Sequence, residues 1–150
     1  MLYFAYGANT NLESMEFRCP DAELVTTIAL PDWVLVFKGV ADIETSPKSK
    51  VYGVIWDITD DCERSLDRFE GYPHLYRKEH FLVTINKDGV ETTETVMFYK
   101  MNRSEYHPPS KYYFDIIEEG YIQNGMNTAP LYDSLHSVSH LVDMTSSSLR

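Results

Sequence analysis

Apolar and polar positions alternate along this chain in two different periods, and the changes of period mark its elements. The run Leu2–Tyr6 is short, apolar and closed by Gly7, which predicts a buried strand. Thr10-Asn11-Leu12-Glu13 has the form of a capping box and predicts a helix to about Cys19, closed by Pro20. Ala22–Ala29 and Trp33–Lys38 read as strands separated by a break at Leu30-Pro31-Asp32. Ser46-Pro47-Lys48-Ser49 reads as a turn, and Val51–Asp57 as a further strand. Thr59 is the N-cap of a helix over Asp60–Glu70, with Cys62, Leu66 and Phe69 forming one apolar stripe. Gly71 stands where a C-terminal glycine is expected, and Pro73 forbids continuation. Tyr76–Asn86 and Thr92–Tyr99 pair as a hairpin through Lys87-Asp88-Gly89. From Ser110 the period becomes helical, with Tyr113, Ile116, Ile117 and Gly120 on one face up to Asn124-Gly125. A shorter helix follows over about Leu131–Val138.

Strands fill the first two thirds and helices gather at the end, an order that predicts an α+β fold. The expected sheet is antiparallel or mixed, and short strands in this order can close into a small barrel. No repeat or linker interrupts it, so residues 1–150 are expected to form a single domain with a polar tail from about residue 144.

Composition narrows the partners. The 150 residues are 43% hydrophobic and 13% aromatic, enough to bury a core without disulfides or metal. A formal net charge of −10 works against nucleic acid and anionic membrane surfaces, whose affinity comes from neutralising phosphate. The two cysteines, Cys19 and Cys62, make neither a disulfide framework nor a metal-ligand spacing. The apolar opening is too short for a signal peptide or a membrane span, so a reduced cytoplasmic setting is expected, as monomer or homodimer.

Two places can carry chemistry. Glu70 follows Leu66 by one helical turn, beside the buried stripe, and ends its helix where the macrodipole disfavours negative charge. Both effects raise a carboxyl pKa, which suits a group that takes and returns a proton near neutral pH. A solvated Glu at a frayed helix end is the plain alternative. The loop Tyr6-Gly7-Ala8-Asn9 passes from a strand into a helix N-terminus, where free backbone N–H groups can hold an anion or an oxyanion. An ordinary strand–turn–helix connection is the alternative there. His136 and His140 share a helix face but lack a third ligand, so no metal is expected. Neither thiol has an activating base, and no phosphate-binding glycine signature is present.

Several segments together resemble one family. Leu2-Tyr3-Phe4-Ala5-Tyr6-Gly7-Ala8-Asn9 is similar to the strand and YGSN-type loop that opens γ-glutamylcyclotransferases. Val51-Tyr52-Gly53-Val54-Ile55-Trp56 resembles the family's V-x-G-V-x-W strand. Leu66-Asp67-Arg68-Phe69-Glu70-Gly71 resembles its L-D-x-x-E-G segment, with Tyr76 following. Pro108-Pro109-Ser110, Tyr113 and Asn124-Gly125 match its C-terminal stretch. The matches run in family order over nearly the whole chain.

The resemblance implies a small mixed, mostly antiparallel β-barrel with flanking helices, and a cofactor-free enzyme in which Glu70 is catalytic. It also implies that Tyr3, Phe4, Ala5, Tyr6, Gly7 and Ala8, with Asn9 completing the motif, hold the γ-glutamyl group of a small substrate, and that Tyr76 and Tyr113 lie near it. The implied reaction is attack of the substrate's α-amine on its own γ-amide carbonyl, releasing 5-oxoproline and an amino acid or amine. There are two departures. Ala8 replaces the usual Ser and removes a hydroxyl. Gly71-Tyr72-Pro73-His74-Leu75-Tyr76 looks closer to the γ-glutamylamine cyclotransferase and plant AIG2-like branch. A γ-glutamylamine cyclotransferase or γ-glutamyl deprotection enzyme, and a non-catalytic small-ligand-binding module on the same fold, are the alternatives.

Overall fold

Two long hairpins flank one short central strand. The computed structural model describes residues 1–148, with side chains through His140. The strands are β1 (Leu2–Ala5), β2 (Glu23–Lys38), β3 (Val40–Asp57), β4 (Tyr76–Lys87) and β5 (Val90–Met101). The helices are α1 (Leu12–Arg18), α2 (Asp60–Glu70), α3 (Lys111–Gln123) and α4 (Ala129–Ser148). The sheet order is β2-β3-β1-β5-β4. β1 is antiparallel to β3, with Tyr3 opposite Trp56, and parallel to β5, with Tyr3 opposite Met97. The class is α+β and the sheet mixed but mostly antiparallel, as the sequence predicts.

Among the described residues the sheet does not close into a barrel, because β2 and β4 remain its two edges. The edge strands β2 and β4 approach each other through aromatic side chains instead of a hydrogen-bonded ladder. Trp33 stacks on Phe81 at 6.2 Å between centroids, and Phe81 packs on Phe98 at 4.7 Å. Rings standing between the edges hold them wider than the roughly 4.8 Å at which strands pair. The sheet is therefore a strongly curled open sheet around an aromatic core.

The strands β2 and β3 are longer than their patterns suggest. Leu30-Pro31-Asp32 does not end β2 but forms an irregularity within it, with Asp32 at φ 66°. The turn residues Ser46–Ser49 bulge out of β3 opposite that point, and the Lys48 N–H donates to Asp32 Oδ1 at 3.1 Å. One hairpin thus absorbs two features that read as strand ends. At its tip, β2 reverses directly into β3, so that Lys38 pairs with Val40.

The helices follow their punctuation closely. The Thr59 hydroxyl accepts from Cys62 N–H at 3.2 Å to start α2, and Gly71 takes the left-handed conformation (φ 64°) that ends it. The Ser110 hydroxyl accepts from Tyr113 N–H to start α3. The cap of α1 is Asn11 instead of Thr10, because Ala8–Thr10 is already wound into a turn of 3-10 helix. α4 runs well past the predicted Leu131–Val138, packing Leu131 and Val138 into the core. The polar stretch from about residue 144 lies where side chains are outside the described residues. Among the described residues, no helix is long and apolar enough to cross a membrane.

One charged cluster ties the sheet together near its functional end. Asp42 on β3 is fully buried and accepts from Lys38 Nζ of β2 (2.8 Å), Lys100 Nζ of β5 (2.7 Å) and the Met101 N–H (3.0 Å). A carboxylate so satisfied is tolerated in the interior, and it fixes the start of β3 against β5.

Candidate active site

A cavity of about 240 Å³ opens where β1 ends, α2 ends and α3 begins. Its floor is the loop after β1, which α3 grips along its length. Asn11 Nδ2 donates to the Ile116 carbonyl (3.0 Å), Asn124 Nδ2 donates to the Thr10 carbonyl (2.8 Å), and Gln123 Oε1 accepts from the Leu12 N–H (2.8 Å). This close docking needs Gly120, because a Cβ there would stand 2.3 Å from Thr10 Oγ1 and 2.7 Å from Asn11 N. The Thr10 N–H and hydroxyl both donate to the Gly7 carbonyl, at 3.1 and 2.8 Å, which closes the turn. Among the described residues, the N–H groups of Gly7, Ala8 and Asn9 have no acceptor. Three such donors in succession can hold an anion or an oxyanion.

Glu70 enters from the opposite wall as the last residue of α2. The residue is half-buried, and its exposed part faces the cavity. No hydrogen bond to the carboxyl is found among the described residues, and its pKa is pushed up to about 8 by desolvation, with Arg18 pulling the other way. Among the described residues, Glu70 is the one acidic or basic side chain lining the cavity.

The remaining walls are phenolic. Asn9 Nδ2 donates to the Tyr3 hydroxyl at 3.1 Å, and Trp56 Nε1 donates to the Asn9 carbonyl at 3.0 Å. The Tyr6 hydroxyl donates to the Tyr99 carbonyl, and the Tyr99 hydroxyl to Asp67 Oδ1 at 2.6 Å. The Tyr76 hydroxyl donates to the Ala41 carbonyl at 2.6 Å, and the Tyr113 hydroxyl accepts from the Ala41 N–H at 3.0 Å. Burial pushes Tyr3, Tyr6, Tyr76, Tyr99 and Tyr113 above the usual tyrosine range, so all five stay neutral.

Of the residues read from the sequence, Tyr3, Phe4, Tyr6, Gly7, Ala8, Asn9, Glu70, Tyr76 and Tyr113 line the cavity. Ala5 does not. It pairs with Val54, and its carbonyl lies 2.6 Å from where a Cβ of Gly53 would stand, so it serves the β1–β3 ladder. The cavity also includes Val40, Ala41, Phe69, Leu75 and Tyr99, which the sequence reading missed. Phe69, read there as part of the buried stripe, is 43% exposed and faces the cavity. Strand alternation places Tyr99 on one face of β5 with Met97 and Met101, but gives no sign of which face meets the cavity.

An unpartnered carboxyl beside neutral phenols and free N–H groups can move a proton while a negatively charged oxygen is held opposite. Comparisons with known proteins give this arrangement a context. A family model described as "Gamma-glutamyl cyclotransferase, AIG2-like" matches residues 3–120. The chain is 31% identical over 137 residues to the bovine (Bos taurus) protein named γ-glutamylcyclotransferase, covering 83% of this chain and 72% of that one. It is 32% identical to the human one over the same span and shares. A solved structure described as γ-glutamyl cyclotransferase superposes with a TM-score of 0.71 at 29% identity, covering 93% of this chain and 86% of that one.

Proposed function

The chain belongs to the γ-glutamyl cyclotransferase, AIG2-like family, and from that premise we propose that it is a γ-glutamylcyclotransferase in which Glu70 shuttles the proton. The observation that carries this reading is Glu70 itself, unpartnered, facing the cavity and raised to about 8. The substrate is a small molecule with a γ-glutamyl group in amide linkage. Its α-amine attacks its own γ-carbonyl carbon, the C–N bond to the leaving group breaks, and 5-oxoproline closes as a five-membered ring. The nucleophile is tethered, so no Ser or Cys is required, and orientation alone can supply on the order of 7–11 kcal/mol in favourable cases.

The substrate's α-ammonium brings a positive charge to Glu70 and favours its ionised form. The carboxylate takes a proton from the attacking nitrogen and returns one to the departing nitrogen, so the reaction consumes no external acid or base. The N–H groups of Gly7 and Ala8 receive a negatively charged substrate oxygen. Tyr3, Tyr76, Tyr113 and Asn9 shape the walls around the γ-glutamyl group. We place the reaction in the cytoplasm, in a single domain that needs no cofactor, nucleic acid or membrane.

The test is incubation with a panel of γ-glutamyl amino acids and γ-glutamyl amines, with Glu70→Gln as control and products followed by mass spectrometry. The expected result is 5-oxoproline from the native protein and none from the variant. Preference for amines would favour the γ-glutamylamine branch, which the segment Gly71–Tyr76 resembles and from which Leu75 and Tyr76 reach the cavity. Tight binding without any product would replace the enzyme by a binding module.

A further inference from the structure

We propose that Arg18, which lines no part of the cavity, is the positioning residue that sets both Glu70 and the Asn9–Tyr3 wall for the reaction proposed above. Arg18 is the last residue of α1, and its guanidinium joins its own helix to the turn after β1 and to α2. One nitrogen, Nη1, donates to Asn9 Oδ1 at 3.0 Å and to the Ser14 carbonyl at 3.2 Å. Fixing Asn9 Oδ1 as an acceptor turns Asn9 Nδ2 toward the Tyr3 hydroxyl. The chain Arg18–Asn9–Tyr3 therefore sets which atoms of the cavity wall donate and which accept.

On its other side the guanidinium carbon lies 3.5 Å from the centre of the Phe69 ring, the residue before Glu70. A flat cation at that distance is stacked, which holds the last turn of α2 by its aromatic ring. The Arg18 carbonyl completes the clamp by accepting from Ser65 Oγ at 2.7 Å, one helical turn before Phe69.

Charge points the same way. Among the described residues, the titratable groups that feel the charge of Glu70 are Tyr3 from β1, Tyr6 at its end, Tyr76 from β4, Tyr99 from β5, Tyr113 from α3 and Arg18 from α1. The five phenols are neutral, so Arg18 is the only charge among them. On Glu70's own helix, Asp67 is already engaged by Lys78 Nζ (3.0 Å) and the Tyr99 hydroxyl. Arg18 thus opposes the desolvation that would otherwise keep Glu70 protonated still further up the pH scale.

The role has two separable parts, charge and shape, and two substitutions divide them. Arg18→Lys keeps a cation but has neither the planar fork nor the flat stacking face. Arg18→Met keeps length without charge. The Glu70 carboxyl is followed by carbon-13 NMR on glutamate-labelled protein without substrate, with Glu70→Gln assigning the signal. Thermal melts confirm that each variant is folded. In Arg18→Met the Glu70 midpoint moves up by on the order of one pH unit, and kcat falls about 10–100-fold. In Arg18→Lys the midpoint stays close to the native one while kcat still falls.

An unmoved Glu70 midpoint in Arg18→Met, or a folded Arg18→Lys with native kcat, would overturn the assignment. If Arg18→Met does not fold, Arg18→Gln removes the charge in its place. The NMR midpoint needs no turnover. A native protein that makes no 5-oxoproline would therefore defeat the proposed reaction while leaving the Arg18 measurement intact.

Discussion

Tyr76 and Tyr113 meet at one residue from opposite directions: the first donates its hydroxyl proton to the Ala41 carbonyl, and the second accepts from the Ala41 N–H. The same backbone thus assigns them different chemistry. The Tyr76 proton is committed, so only oxygen lone pairs remain to face the cavity. The Tyr113 proton is free to point at a substrate oxygen. Tyr113→Phe is expected to lower kcat/KM by roughly 10–100-fold, the loss of one donor to a charged oxygen at about 1.5–3 kcal/mol. Tyr76→Phe strands a buried carbonyl and is expected to lower stability by about 1–3 kcal/mol, with the smaller effect on turnover. Steady-state kinetics beside chemical denaturation of both variants separates the two. Equal losses of activity would reject the division of roles.

The raised pKa of Glu70 has a consequence for activity against pH. In the free enzyme the carboxylate form grows as pH rises through about 8, so kcat/KM is expected to climb across that midpoint. It is expected to fall again at higher pH, once the substrate ammonium has lost its proton and none remains for Glu70 to carry to the departing nitrogen. A rate already on its plateau at pH 6 would mean that the proton is taken by another group.

Stability carries the same shift with the opposite value to the protein. Below pH 4.5 Glu70 is protonated in both folded and unfolded chains and contributes no difference. Between 4.5 and about 8 the unfolded chain releases its proton while the fold retains it, so Glu70 lowers stability progressively up to its folded midpoint. Glu70→Gln removes that penalty. Denaturant unfolding is expected to show the variant matching the native protein near pH 4.5 and exceeding it by on the order of 2–4 kcal/mol at pH 9. No gain at pH 9 would show that the carboxyl is well solvated.

Local punctuation carried the sequence a long way toward this site. Thr59 and Gly71 bound α2 and so place Glu70 at a helix end, and both act through neighbours within a few residues. Asp88 and Gly89 take positive φ at the β4–β5 turn for the same kind of local reason. What escaped the sequence depends on partners far along the chain. The first half of β3 is held by the facing strand despite its turn residues, because β2 bulges in register with it. Ala41 shows no chemistry of its own, and its value comes from two tyrosines that β4 and α3 deliver. Arg18 reads as a cation suited to a helix C-terminus. Its contacts with Asn9 and Phe69 exist only once α1 and α2 are packed together.

Gly120 gives a test of how tightly α3 holds the loop. A methyl group there would meet Thr10 Oγ1 and the backbone of Asn11, and backbone cannot move aside as a flexible side chain can. Gly120→Ala is expected to destabilise the fold by roughly 1–3 kcal/mol, although alanine is the better helix former. Its kcat/KM should fall as well, because the displaced residues directly follow the free N–H groups of Gly7, Ala8 and Asn9. A variant as stable and active as the native protein would mean that the loop and α3 slide apart without consequence.

Ala8 is the position at which this chain departs from the family loop it otherwise resembles. It is 7% exposed, lines the cavity and leaves its N–H free. The backbone donor is therefore retained, and what is missing is a hydroxyl that can add one hydrogen bond to bound substrate. A neutral hydrogen bond contributes about 0.5–1.5 kcal/mol, so Ala8→Ser is expected to improve kcat/KM by a factor of roughly 2–10. A hydroxyl that contacted the substrate equally before and during ring closure would show its gain in KM with kcat nearly unchanged, and that is the expected result. If kcat rose instead, the added hydroxyl would be acting on the charge that develops as the ring closes, and the loop would be an oxyanion site. If both constants worsened, the cavity would be shaped for the alanine methyl, and the departure would be part of this protein's own substrate selection.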